Sequence, residues 1–153
     1  FPAMHDWTVK ADADCVFFPD RLRNVLHNHS ESEFGTYLNN CQRGLHGPIE
    51  VFSRKAISQW TWGMASCVDH FYKLCSGDCL WGEDMFIDQC LDKVLGVRRE
   101  TDPNILIEDH CDPPDGWDDC KASNMVAFHP FKSVENYFKC MGNSEFAGTG
   151  SKP

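Results

Sequence analysis

Asp12-Ala13-Asp14 sets two carboxylates one residue apart at the end of a short run, Asp6-Trp7-Thr8-Val9-Lys10-Ala11, and opens onto Val16-Phe17-Phe18. Carboxylate oxygens at this spacing suit a hard divalent cation, Mg²⁺ or Mn²⁺, and such ions commonly hold a substrate phosphate as well. The same pair also fits a solvated turn, where acidic residues are common. Two later segments offer partners. In Trp81-Gly82-Glu83-Asp84 the acids stand where a loop becomes a helix. That position suits a general base beside a substrate hydroxyl, and equally suits plain compensation of the helix dipole. His129, in Phe128-His129-Pro130, reads either as a metal ligand or as a strand-end histidine bonded to backbone.

These residues need elements to place them. Residues 7–18 read as a strand, a turn carrying the two aspartates, and a second short strand. Pro19 opens a helix whose apolar face is Leu22, Val25 and Leu26, and His27-Asn28-His29-Ser30 ends it. Residues 34–52 suit short strands and turns, the last of them Ile49-Glu50-Val51-Phe52. Ser53 is placed to cap a long helix running to about Cys75, with Ala56, Ile57, Trp60, Met64, Cys67, Val68 and Phe71 at helical spacing. A further helix is expected from Glu83 to Leu95, with Gly96 just past its end. Residues 98–122 read as a long polar loop pinned by Cys111 and Cys120. A strand over Asn124–Phe128 and a helix over Ser133–Cys140 follow. The expected domain covers residues 1–142, with a flexible Gly- and Ser-rich tail over 143–153.

The chain has 153 residues, 42 % of them hydrophobic, which suffices for one conventional core. A formal net charge of −9 argues against nucleic acid as a partner. No apolar run is long enough to span a membrane. The chain opens at Phe1 without an initiator Met, as expected of a mature, processed or excised piece. Its nine cysteines lack the paired tight spacing of a zinc site, so a disulfide framework in an oxidising lumen is expected. Nine is odd, and Cys15, in an apolar run beside the acidic triplet, is the candidate for a buried free thiol.

Lys10-Ala11-Asp12-Ala13-Asp14 with Val16-Phe17-Phe18 resembles the metal-binding strand of GT-A-fold glycosyltransferases. Gly47-Pro48-Ile49-Glu50-Val51-Phe52-Ser53-Arg54-Lys55-Ala56 resembles their Ser-Arg-x-Ala helix start. Gly82-Glu83-Asp84-Met85-Phe86, running to Leu95-Gly96-Val97, is similar to their x-Glu-Asp helix, and His129 stands where they carry a C-terminal histidine. The resemblance is to the inverting β1,3-galactosyl and N-acetylglucosaminyl transferases, spans roughly residues 6–140, and rests on the order of the motifs more than on any one of them.

This resemblance implies an α/β fold, a partial GT-A-like mixed sheet flanked by helices and stabilised by disulfides. Only Phe1 to Ala11 precede Asp12, so the usual N-terminal nucleotide-binding half is expected to be missing. By the resemblance, Asp12 and Asp14 would hold Mn²⁺ (or Mg²⁺) against the diphosphate of a nucleotide sugar, and His129 would complete the metal shell. Asp84 would deprotonate the acceptor hydroxyl of a glycan or protein, with Glu83 as its neighbour. Lys10 would neutralise phosphate or simply pair with the acids, and Trp81 would stack on a sugar or be buried. The alternative is a catalytically silent accessory subunit, its exposed edges covered by protein partners on the lumenal side of a membrane complex. A Golgi or endoplasmic-reticulum lumen fits, and so does a thylakoid lumen.

Overall fold

The computed structural model describes residues 5–149. Its strands are β1 (Trp7–Ala11), β2 (Val16–Phe17), β3 (Thr36–Asn39), β4 (Ile49–Ser53), β5 (Arg98–Thr101), β6 (Leu106–Glu108) and β7 (Ala127–His129). The helices are α1 (Pro19–Leu26), α2 (Arg54–Leu74), α3 (Glu83–Gln89) and α4 (Val134–Thr149). One sheet has the order β1-β4-β3-β5 and the other β2-β7-β6. Both are mixed: β3 runs parallel to β5 and β6 parallel to β7, while the remaining pairs are antiparallel. The architecture is therefore α/β, with two mixed sheets flanked by helices.

The apolar faces of the two sheets meet. Leu38, Ile49 and Val51 of the first pack with Leu106 and Ala127 of the second, and Leu22 of α1 closes over them. Full burial of a side chain such as Val51 or Ile49 contributes roughly 1.5–3 kcal/mol. On the opposite face of the first sheet, Tyr37 and Phe52 pack against Ala56 of α2 and Leu91. The helix α2 starts where expected because the Ser53 hydroxyl accepts the Ala56 N–H. Gly35 allows its close approach: its φ is +94°, and a Cβ there would stand 2.2 Å from the Ala56 nitrogen. The second sheet packs Val16 and Phe128 against Phe131 and the α4 residue Cys140.

Three expectations need correction. Residues 98–122 are not one loop, because they contain β5, β6 and a short turn of helix at Trp117–Asp119. The strand β5 is Arg98-Arg99-Glu100-Thr101, a charged edge strand, and β6 is only three residues long, so neither shows the apolar alternation by which a strand is read. The expected helix from Glu83 to Leu95 is α-helical only to Gln89 and widens into a single looser turn over Cys90–Val94. Finally, α4 does not stop at Cys140. It runs through Thr149, and Ser144 within it is buried and accepts from the Arg21 guanidinium at 2.7 Å, so the expected tail from residue 143 begins as helix. The part of that tail over 150–153 lies outside the described residues.

Four disulfides, Cys41–Cys111, Cys67–Cys90, Cys75–Cys79 and Cys120–Cys140, staple the chain, and Cys15 is a buried free cysteine. This number of structural disulfides fits an oxidising, secretory-type environment. Among the described residues no helix is long and apolar enough to cross a membrane.

Candidate functional site

Sheet register places the site. Lys10 on β1 lies directly opposite Glu50 on β4. Beyond Ala11 the pairing continues as the Asp12 N–H donates to the Pro48 carbonyl at 3.0 Å, and the chain then turns, Cys15 N–H donating to the Asp12 carbonyl at 3.1 Å. The turn is pinned to the other sheet where the Phe131 N–H donates to the Asp14 carbonyl at 2.8 Å. That sheet places Glu108 on β6 beside His129 on β7. Both aspartates and His129 are thereby brought together at the seam between the sheets.

One ligand atom each from Asp12, Asp14 and His129 lies within 4.8 Å of the others. His129 Nε2 is 3.5 Å from Asp14 Oδ1. Two carboxylates and an imidazole form a donor set that Mn²⁺ accepts and Mg²⁺ tolerates. On its other side, His129 Nδ1 is 3.3 Å from Glu108 Oε2. A carboxylate behind a histidine is the usual support of a metal-binding imidazole, so the residues present fit a divalent cation.

The acidic pair on α3 reaches the same seam. Asp84 Oδ2 accepts the Gly47 N–H at 3.1 Å, Oδ1 accepts the N–H of Met85 at 2.7 Å, and His46 Nδ1 stands 3.6 Å from Oδ2. Gly47 suits this approach, since a Cβ there would be 3.3 Å from Glu83 and 3.5 Å from Asp84. Glu83 is largely exposed and takes a 3.2 Å bond from Lys10. Trp81 is partly exposed and packs edge-on to Phe71, with ring centroids 5.0 Å apart.

Lys10 is the hub of one half of the site. Its ammonium donates to the Gly47 carbonyl at 2.6 Å and lies 2.9 Å from Asp12 and 4.0 Å from Glu50. Burial disfavours its charge, but the hydrogen bonds and negative field of Asp12, Glu50 and Glu83 outweigh this and raise its pKa. Glu50 is buried, and its Oε1 lacks a hydrogen-bond partner. Burial, with Glu83, Asp84 and Asp12 nearby, lifts its pKa to about 7 despite the opposing pull of Lys10.

Sequence reading passed over Glu50, Glu108 and His46. Glu108 is 0 % exposed. Burial works against its charge, but the field of His46, the bond to His129 and the backbone N–H of His110 hold its pKa below the usual glutamate value. A local signal marks one of the three, the solitary acid inside the apolar run Ile49-Glu50-Val51-Phe52, whereas Glu108 closes its run and is followed directly by Asp109. His46, in a glycine-bearing loop, carries no such signal.

Comparison of the chain with protein-family models and with curated proteins finds no match.

Proposed function

We propose that the chain is a metal-dependent, inverting glycosyltransferase-like domain that moves a sugar from a nucleotide-sugar donor to a hydroxyl acceptor. The observation that carries the reading is the meeting of Asp12, Asp14 and His129 within 4.8 Å, with Asp84 joined to the same seam through Gly47 and His46. The motif order described above, with its likeness to β1,3-galactosyl and N-acetylglucosaminyl transferases, supplies the choice of reaction. Asp12, Asp14 and His129 would hold Mn²⁺ or Mg²⁺. When bound, the ion would act as a Lewis acid and offset the charge of a departing nucleoside diphosphate.

The chain's own residues do the rest. Asp84, held by the Gly47 N–H, takes the proton of the acceptor hydroxyl as that oxygen attacks the anomeric carbon from the face opposite the leaving diphosphate. The sugar inverts, and the proton rests on Asp84 until it passes to water. Glu83 keeps Lys10 in place, and Lys10 sets a positive charge beside Asp12 where phosphate would approach. The lumen of the Golgi or endoplasmic reticulum is the compartment that fits such a reaction.

A second reading, a silent accessory subunit of a lumenal complex, is favoured by the apolar side chains that α2 leaves exposed, Trp62, Met64, Val68 and Tyr72. Calorimetric titration with Mn²⁺ and uridine diphosphate decides between them. The enzyme reading expects metal-dependent binding that Asp14→Ala abolishes, followed by sugar transfer. Absence of binding in the unaltered chain would leave the accessory reading.

A further inference from the structure

A cleft of about 330 Å³ opens beside Asp14. Ala13 and Asp14 line it from the turn after β1, Phe131 and Lys132 from the segment after β7, and Tyr137 and Phe138 from α4. Its size falls at the lower end of small-molecule sites, about 300–1,000 Å³. The lining is fixed by backbone. The Phe131 N–H donates to the Asp14 carbonyl at 2.8 Å, and the Tyr137 N–H to the Ser133 carbonyl at 2.9 Å. Ser133 also caps α4, its hydroxyl accepting the Asn136 N–H at 3.1 Å.

Two rings stand in this cleft beyond what the core uses. Tyr137 packs on the core by part of its surface, while Phe138 is 59 % exposed and lies edge-on to it, with ring centroids 5.7 Å apart. Lys132 is exposed, and neither its ammonium nor the Tyr137 hydroxyl has a partner among the described residues. Exposed aromatic surface rimmed by unpaired polar groups is the make-up of a binding site.

Asp14 belongs both to this cleft and to the candidate cation site. Glu83 and Asp84 do not line the cleft. They join the site on its Asp12 side, through Lys10, which lies 2.9 Å from Asp12 and 3.2 Å from Glu83. In-line displacement sets the attacking and leaving oxygens on opposite sides of the anomeric carbon. With the acceptor hydroxyl at Asp84 and the diphosphate at Asp12 and Asp14, the group beyond the diphosphate points away from Asp84 and into the cleft.

We propose that the cleft between Asp14 and α4 is the nucleoside subsite for a nucleoside diphosphate, with the base stacked on Phe138 and Tyr137 and Lys132 paired with phosphate. A base suits half-exposed rings because its face is apolar and its edge can stay in water. The inference rests on the nucleotide-sugar reading above and adds to it the residues that hold the nucleoside.

Calorimetry of the full chain in Mn²⁺ tests it by comparing uridine diphosphate with inorganic pyrophosphate, which shares the diphosphate and lacks the nucleoside. The unaltered chain is expected to bind uridine diphosphate about tenfold more tightly. Phe138→Ala, at an exposed position, should remove most of that difference and leave the affinity for pyrophosphate as it was. Equal affinities in the unaltered chain, or a folded Phe138→Ala chain that keeps the difference, overturn the proposal while the diphosphate site stands. In that case the two rings serve another contact, such as a protein partner. Failure of both ligands to bind removes the nucleotide-sugar reading itself, and the proposal with it.

Discussion

Cys41 and Cys111 are bonded to each other across the seam between the two sheets, 70 residues apart in sequence. Cys41 follows β3 and Cys111 follows β6, and the Cys111 N–H donates to the Glu108 carbonyl at 3.1 Å. The bond thus ties the strand carrying Glu108 to the segment that leads into His46. A loop of this length costs the unfolded chain much entropy once closed. Replacing both cysteines by serine is expected to lower stability by about 4 kcal/mol, read from urea denaturation under oxidising conditions. A loss below about 1 kcal/mol would mean that the sheets hold their arrangement without the staple.

The pairing of Lys10 with Glu50 predicts an unusual dependence on pH. Glu50 has its pKa raised to about 7 by burial, so the folded chain favours its protonated form. The unfolded chain releases this proton nearer the ordinary value of 4.5. The stabilisation is therefore complete below that value and is lost as pH rises toward 7. Glu50→Gln removes a buried charge whose Oε1 has no hydrogen-bond partner, and should stabilise the chain by about 1–2 kcal/mol at pH 8 while changing little at pH 4. Thermal melts of the two proteins across this range check it. A destabilised variant at pH 8 would show that the attraction to Lys10, 4.0 Å away, outweighs the cost of burial.

The juxtaposition of Asp12, Asp14 and His129 was partly legible, because these residues stand at or just beyond strand ends, where a short apolar run breaks into polar residues. The boundaries of α1 and α2 were legible for similar reasons, Pro19 and Ser53 being local signals of helix starts. The part of the site around His46 and Glu108 was not legible. His46 reaches Glu108 only because Asn40 shapes its loop and Cys41 joins Cys111, and neither relation leaves a local pattern. Glu108 sits in a three-residue strand inside an Asp- and Pro-rich stretch whose composition reads as loop. The extension of α4 past Cys140 depends on Ser144 meeting Arg21 from α1, a tertiary contact that overrides the weak helix propensity of Gly142 and Asn143.

Cys15 gives a direct chemical test of the packing beside Asp12 and Asp14. Burial, and then the two aspartate charges, push its thiol up to about 12. The thiolate is the reactive form, so the native chain should resist iodoacetamide at pH 8, with Cys15 modified only on unfolding. Mass spectrometry after a native pulse is expected to show no adduct, and after a pulse in guanidinium a single one. Rapid native labelling would mean that the turn between β1 and β2 opens readily, and the acidic pair with it.

His29 lies between two carboxylates, with Nδ1 at 2.5 Å from Glu100 and Nε2 at 2.9 Å from Asp102. It ties the segment after α1 to β5 and the turn that follows, while Arg98 bonds Glu100 from the same edge at 2.6 Å. Burial alone would lower the pKa of the ring, but the bonds and charges of Glu100 and Asp102 outweigh it and raise the value above the ordinary 6.5. A folded pKa above the unfolded one contributes stability fully below 6.5, lost as pH rises through the folded value. His29→Gln should therefore cost about 1–3 kcal/mol at pH 6 and progressively less as the unaltered ring gives up its proton. Histidine NMR gives the pKa directly, and denaturation at several pH values gives the cost. A pKa at or below the ordinary value would show that desolvation wins at this edge, and that the two carboxylates hold a neutral ring.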